Sequence, residues 1–75
     1  MGQEKDLALA ALLKRLREER GLTQEEVAFE AGMTASALSR IERGLNSPGW
    51  TTVRRIADAL GVSLVELADD LEDAG

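Results

Sequence analysis

Thr34, Ser36, Ser39, Arg40 and Arg43 fall along one side of a short helical pattern whose other side carries Leu38 and Ile41. They supply hydroxyls and guanidiniums, so the chemistry on offer is hydrogen bonding and positive charge. Arg40, in the middle of the edge, can grip guanine O6 and N7 with two parallel donors. Ser36 can donate or accept and therefore discriminates weakly. A polar helix edge braced across a second helix is how a small all-α unit reaches the base edges of double-stranded DNA.

Other chemistries lack their residues. The 75 residues contain no cysteine, no histidine and no tyrosine. No disulfide or thiolate metal site can form, and the commonest general base and zinc ligand are missing. We expect no catalytic residue, no metal site and no cofactor, and read the chain as a non-enzyme. The cluster Asp69, Asp70, Glu72 and Asp73 lacks the loop glycine and spacing of a calcium site. It reads as a solvated acidic tail that would weaken non-specific DNA binding.

The formal net charge is −5. Its distribution matters more than its total. Residues 5–60 carry all nine Lys and Arg against eight acids, net +1, whereas residues 61–75 carry five acids and no base; Glu4 supplies the remaining −1. The acidity is mostly a property of the tail. No apolar run approaches the ~18 residues of a membrane span. Acidic Glu4 and Asp6 ahead of the leucines, and Lys14, Arg15 and Arg17 among them, spoil a signal-peptide core. The expectation is a cytoplasmic protein of one domain, residues 1–75, with a core over about 6–71.

Five helices must position the polar edge. The first runs from about Asp6 to Arg20, with Leu9, Leu12, Leu13 and Leu16 at helical spacing. The second follows Thr23, which forms a capping box with Glu26, and buries Val27, Ala28 and Ala31. Phe29 is left partly exposed. Thr34 caps the third. The fourth runs from Trp50 or Thr51 to Leu60, with Val53, Ile56, Ala57 and Leu60 inward. Trp50, after Pro48 and Gly49, is expected to wedge the loop onto it. A second capping box, Ser63 with Glu66, opens the fifth, which runs to about Leu71 with frayed residues beyond. Glycines 21, 32, 44 and 61 each sit one residue past a helical pattern. The helix-turn-helix spans 23–44, and the fold class is a compact all-α, five-helix one.

The segments GLTQEEVAFEAGMTASALSRIERG, NSPGW and TTVRRIADALGVSLVEL closely resemble the phage-repressor and Cro type of helix-turn-helix domain, the XRE family, across residues 7–67. The resemblance implies that the second helix of the motif enters the major groove and that the first lies across the backbone. It places Thr34, Ala35, Ser36, Ser39 and Arg40 toward DNA, with the Ala35 methyl suited to a thymine methyl. Gln24 matches a phosphate-contacting glutamine, at a helix N-terminus that offers free N–H groups. Arg43 and Asn46 match the phosphate-contacting loop, where Leu45 replaces a commonly basic residue. Arg17 and Glu42 match a family ion pair that fixes the angle of the recognition helix. The thin set of base-reading side chains makes DNA shape and dimer spacing the expected main sources of specificity.

Leu64, Val65, Ala68 and Leu71 leave apolar surface on the last helix beyond what Val62 and Leu67 need for the core. Family members often pair through this end, which implies a homodimer and a transcriptional regulator on a palindromic operator. The alternative is a protein-interaction module of the same fold, an antitoxin or adaptor with a protein partner and weak or no DNA binding.

Overall fold

Local chemistry sets most of the helix boundaries. The structure, a computed structural model, describes the backbone of residues 2–74 and the side chains of residues 7–73. Among them the regular elements are α1 (Gly2–Glu19), α2 (Gln24–Ala31), α3 (Ala35–Glu42), α4 (Trp50–Leu60) and α5 (Leu64–Ala74). Both expected capping boxes form. The Glu26 N–H donates to Thr23 Oγ1 at 3.1 Å and the Thr23 N–H to Glu26 Oε1 at 2.9 Å. The Glu66 N–H donates to Ser63 Oγ at 3.1 Å and the Ser63 N–H to Glu66 Oε1 at 3.2 Å.

Two boundaries differ from expectation. α1 starts at Gly2 rather than Asp6, because Gln3, Glu4 and Lys5 are good helix formers and nothing breaks the run. α5 continues to Ala74, where fraying was expected after Leu71. Leu71 packs half-buried against the core and holds the last turns in place.

The core gathers one apolar stripe from each helix. Leu13, Leu38, Ile56 and Val27 are its largest fully enclosed side chains. Leu38, at 0% exposure, comes from the middle of α3. The helix that presents the polar edge is therefore anchored at its centre, and its opposite side is free for contact.

Trp50 is not the expected wedge. It is 69% exposed and opens α4, with its ring along the rim of a groove. Phe29 is 82% exposed, because Val27, Ala28 and Ala31 occupy the inward face of α2.

Candidate nucleic-acid interface

The turn between α2 and α3 is made by Gly32, whose φ of 71° a side chain would strain. Beyond it the Met33 N–H returns to the Ala28 carbonyl at 2.9 Å, closing α2. Thr34 then starts α3: its Oγ1 accepts from the Ala37 N–H at 3.0 Å. That hydroxyl is used for the cap. Thr34 still lies at the exposed N-terminus of α3, with one acceptor site of its hydroxyl given to the cap.

Along α3 the predicted edge divides. Ser36, Arg40 and Arg43, at helical spacing, are exposed, while Ser39 is half-buried. Ala35 is also half-buried and packs against the core, so its methyl is only partly available. Arg43 folds back, with Nε donating to the Ser39 carbonyl at 3.4 Å. Among the described residues neither Arg40 nor Arg43 has an ion-pair partner.

The end of α3 brings Asn46 to Arg40. Gly44 adopts φ 73°; the Gly44 N–H returns to the Ile41 carbonyl at 3.0 Å, and the Leu45 N–H to the Arg40 carbonyl at 2.9 Å. This pair of bonds is a Schellman cap. A Cβ on Gly44 would also stand 2.6 Å from Leu7 Cδ2 on α1. The next residue but one is Asn46. With its amide turned to satisfy both ends, its oxygen accepts from Arg40 Nε at 3.3 Å and its nitrogen donates to the Leu45 carbonyl at 3.0 Å. Sequence spacing alone does not join Arg40 to Asn46, although the cap glycine, which turns the chain back over the last helical turn, was the available signal.

Behind this face lies a buried charge network. Arg17 Nε donates to Glu42 Oε2 at 2.8 Å and Arg17 Nη2 to Glu42 Oε1 at 3.0 Å, a two-pronged ion pair between α1 and α3. The Glu42 side chain is 3% exposed and that of Arg17 11%. The third prong, Arg17 Nη1, donates to the Leu22 carbonyl at 2.9 Å. Gln24 joins the same network: its Nε2 donates to Glu42 Oε1 at 3.1 Å. The side chain expected to meet a phosphate is therefore turned onto Glu42. The hydrogen bond to Glu42 raises the Arg17 pKa above the ordinary arginine value, and desolvation opposes it less strongly.

The four residues expected at a dimer interface do not share one environment. Leu64 and Leu71 are half-buried against their own core, whereas Val65, 71% exposed, and Ala68 face outward. An open apolar groove runs beside them, bordered by Leu9, Pro48, Trp50, Leu64 and Leu71. Among the described residues no group of acidic, histidine or cysteine side chains has the arrangement of a metal site, and no helix is long and apolar enough to cross a membrane.

Residues 8–69 match the family described as "Helix-turn-helix domain". The chain is 48% identical over 59 residues to the uncharacterized HTH-type transcriptional regulator y4dJ of Sinorhizobium fredii (strain NBRC 101917 / NGR234), covering 79% of this chain and 77% of that protein. It is 40% identical over 60 residues to the cryptic phage CTXphi transcriptional repressor RstR of Vibrio cholerae, covering 80% of this chain and 54% of that protein. A similar solved structure is the restriction-modification controller protein C.Esp1396I, a tetramer in complex with its natural 35 base-pair operator. Its TM-score is 0.90 at 26% identity, over 93% of this chain and 92% of that one.

Proposed function

The chain belongs to the helix-turn-helix domain family, and from that premise we propose that it is a sequence-specific, DNA-binding transcriptional regulator that acts in the cytoplasm as a homodimer on a palindromic site. α3 lies in the major groove and α2 crosses the backbone. The observation that carries this reading is the exposed row Ser36, Arg40 and Arg43 on a helix anchored from behind by Leu38. Relatives named as transcriptional regulators and repressors, and the operator-bound controller protein, support it. Arg40 reads guanine, and Ser36 and Ser39 add weaker contacts. Arg43, Asn46 and the N-terminus of α2 at Gln24 lie where phosphates would pass. No enzymatic step is assigned, because the chain has no histidine, cysteine or tyrosine.

Pairing follows from the outer side of α5. Val65 and Ala68 are exposed on α5, and a twofold partner laid there serves a palindrome when it sets the two α3 helices about 34 Å apart, one DNA turn. The protein-interaction alternative has no comparable support, since the relatives described above are named for transcription.

The test is selection from randomised DNA, with wild-type protein and with Arg40→Ala. A palindrome whose guanine preference disappears in the variant is the expected result. Recovery of nothing above background at low salt would refute the regulator reading.

A further inference from the structure

Arg40 can meet guanine in two ways, side-on through Nε and one Nη, or end-on through both Nη atoms. The arginine carries five N–H donors, and both geometries place two of them on O6 and N7. The surroundings of Arg40 distinguish the two. With the Asn46 amide in the orientation that satisfies both of its ends, Arg40 Nε donates to Asn46 Oδ1 at 3.3 Å, and Asn46 is itself held by donation from Nδ2 to the Leu45 carbonyl at 3.0 Å. The Leu45 N–H in turn bonds the Arg40 carbonyl at 2.9 Å. These contacts close a ring that begins and ends on Arg40, built on the left-handed Gly44. Four Nη–H donors are left outside the ring.

We propose that Asn46 is a positioning residue for sequence readout: it occupies Arg40 Nε, leaves the guanidinium to face guanine end-on through Nη1 and Nη2, and so sets the guanine preference of a side chain it does not share the base with. The inference rests on the reading of α3 as the groove-facing helix. It is separate from the phosphate contact proposed for Asn46 above, which tightens binding to every sequence alike. An unrestrained arginine on a helix surface samples many rotamers and loses that freedom on docking. A restrained one meets the base with its donors already aimed.

The experiment uses the full chain and the site recovered by selection. Affinities are measured for that site and for versions with the guanine replaced, using wild type, Arg40→Ala, Asn46→Ala, Asn46→Asp and the Arg40→Ala/Asn46→Ala double variant. Arg40 and Asn46 are both exposed, and thermal unfolding checks that each variant folds. In wild type the bidentate contact should favour guanine by roughly 5- to 100-fold. Asn46→Ala should reduce that ratio about fivefold, the effect of one net hydrogen bond. In the Arg40→Ala background it should leave the ratio unchanged. Asn46→Asp keeps an acceptor for Nε and should retain the ratio even though its charge weakens binding to every sequence. If Asn46→Ala weakens guanine and substituted sites by the same factor, the positioning role is overturned. If Arg40→Ala itself leaves the base preference intact, the underlying assignment of Arg40 to a base fails instead.

Discussion

Arg17 and Arg40 occupy the same place in two different helices. Each stands four residues before a left-handed glycine, Gly21 or Gly44, and each gives its carbonyl to the N–H of the leucine that follows, Leu22 at 3.1 Å or Leu45 at 2.9 Å. Each guanidinium then reaches back to the chain that the cap returns, Arg17 to the Leu22 carbonyl and Arg40 to Asn46. The difference is what lies on the other side. Arg17 faces the interior, where Glu42 neutralises it; Arg40 faces solvent with no carboxylate partner among the described residues. The same local device therefore serves two ends. Satisfied inside, a guanidinium locks helices together; left open outside, it remains available to a base or phosphate.

The first way to break this contrast is to remove the inner partner. Glu42→Ala leaves the Arg17 charge buried without compensation and should cost about 3–5 kcal/mol in denaturant unfolding. A loss below about 1 kcal/mol would show that water reaches the guanidinium and that inside and outside are not distinct. The pH dependence has a definite sign. Arg17 has its pKa raised by Glu42, so its contribution is fully present below the ordinary arginine pKa and lost only as pH rises through the raised value. Stability measured from neutral to mildly alkaline pH should show no loss traceable to this group.

Gly44→Ala acts on the outer device. The new Cβ meets Leu7 and must adopt φ 73°, at a cost of about 1–2 kcal/mol for the left-handed backbone alone. Thermal unfolding measures that cost. The same substitution displaces Asn46 and should weaken discrimination at the guanine position, which no substitution confined to the core interior is expected to do.

Much of this architecture was legible in the chain. The capping residues Thr23, Thr34 and Ser63 and the glycines after four helices set the boundaries, because caps are local chemistry. The outer ends were less legible. No signal stops α1 before Gly2, and whether Leu71 holds α5 together depends on what packs beneath it. The contact of Gln24 with Glu42 and the exposure of Trp50 were not legible for a related reason. Each lies beside more than one surface, and only tertiary packing turns Gln24 onto Glu42 and leaves Trp50 lining the groove. Resemblance named Arg17 with Glu42 as a pair, but only the fold supplies their third partner.

Gln24→Ala sharpens the boundary between the two regions, since Gln24 touches the inner network while standing at the first turn of the helix that would cross DNA. Losing its bond to a charged carboxylate should cost about 1.5–3 kcal/mol, read by urea unfolding. If stability is unchanged while DNA affinity falls for every sequence, the phosphate role predominates and the contact with Glu42 is incidental.

A third arginine calibrates the comparison at its weak limit. Arg15 Nε lies 3.7 Å from Glu19 Oε2, one turn along α1, with side chains 54% and 58% exposed. It has a carboxylate, as Arg17 does, and solvent, as Arg40 does. If an acidic partner by itself made a guanidinium structural, Glu19→Gln would resemble Glu42→Ala. Water already solvates both ions, and fixing two long side chains costs entropy, so Glu19→Gln should change unfolding stability by no more than about 0.5 kcal/mol. A loss approaching that of Glu42→Ala would mean that pairing, not burial, separates the inner arginine from the outer one.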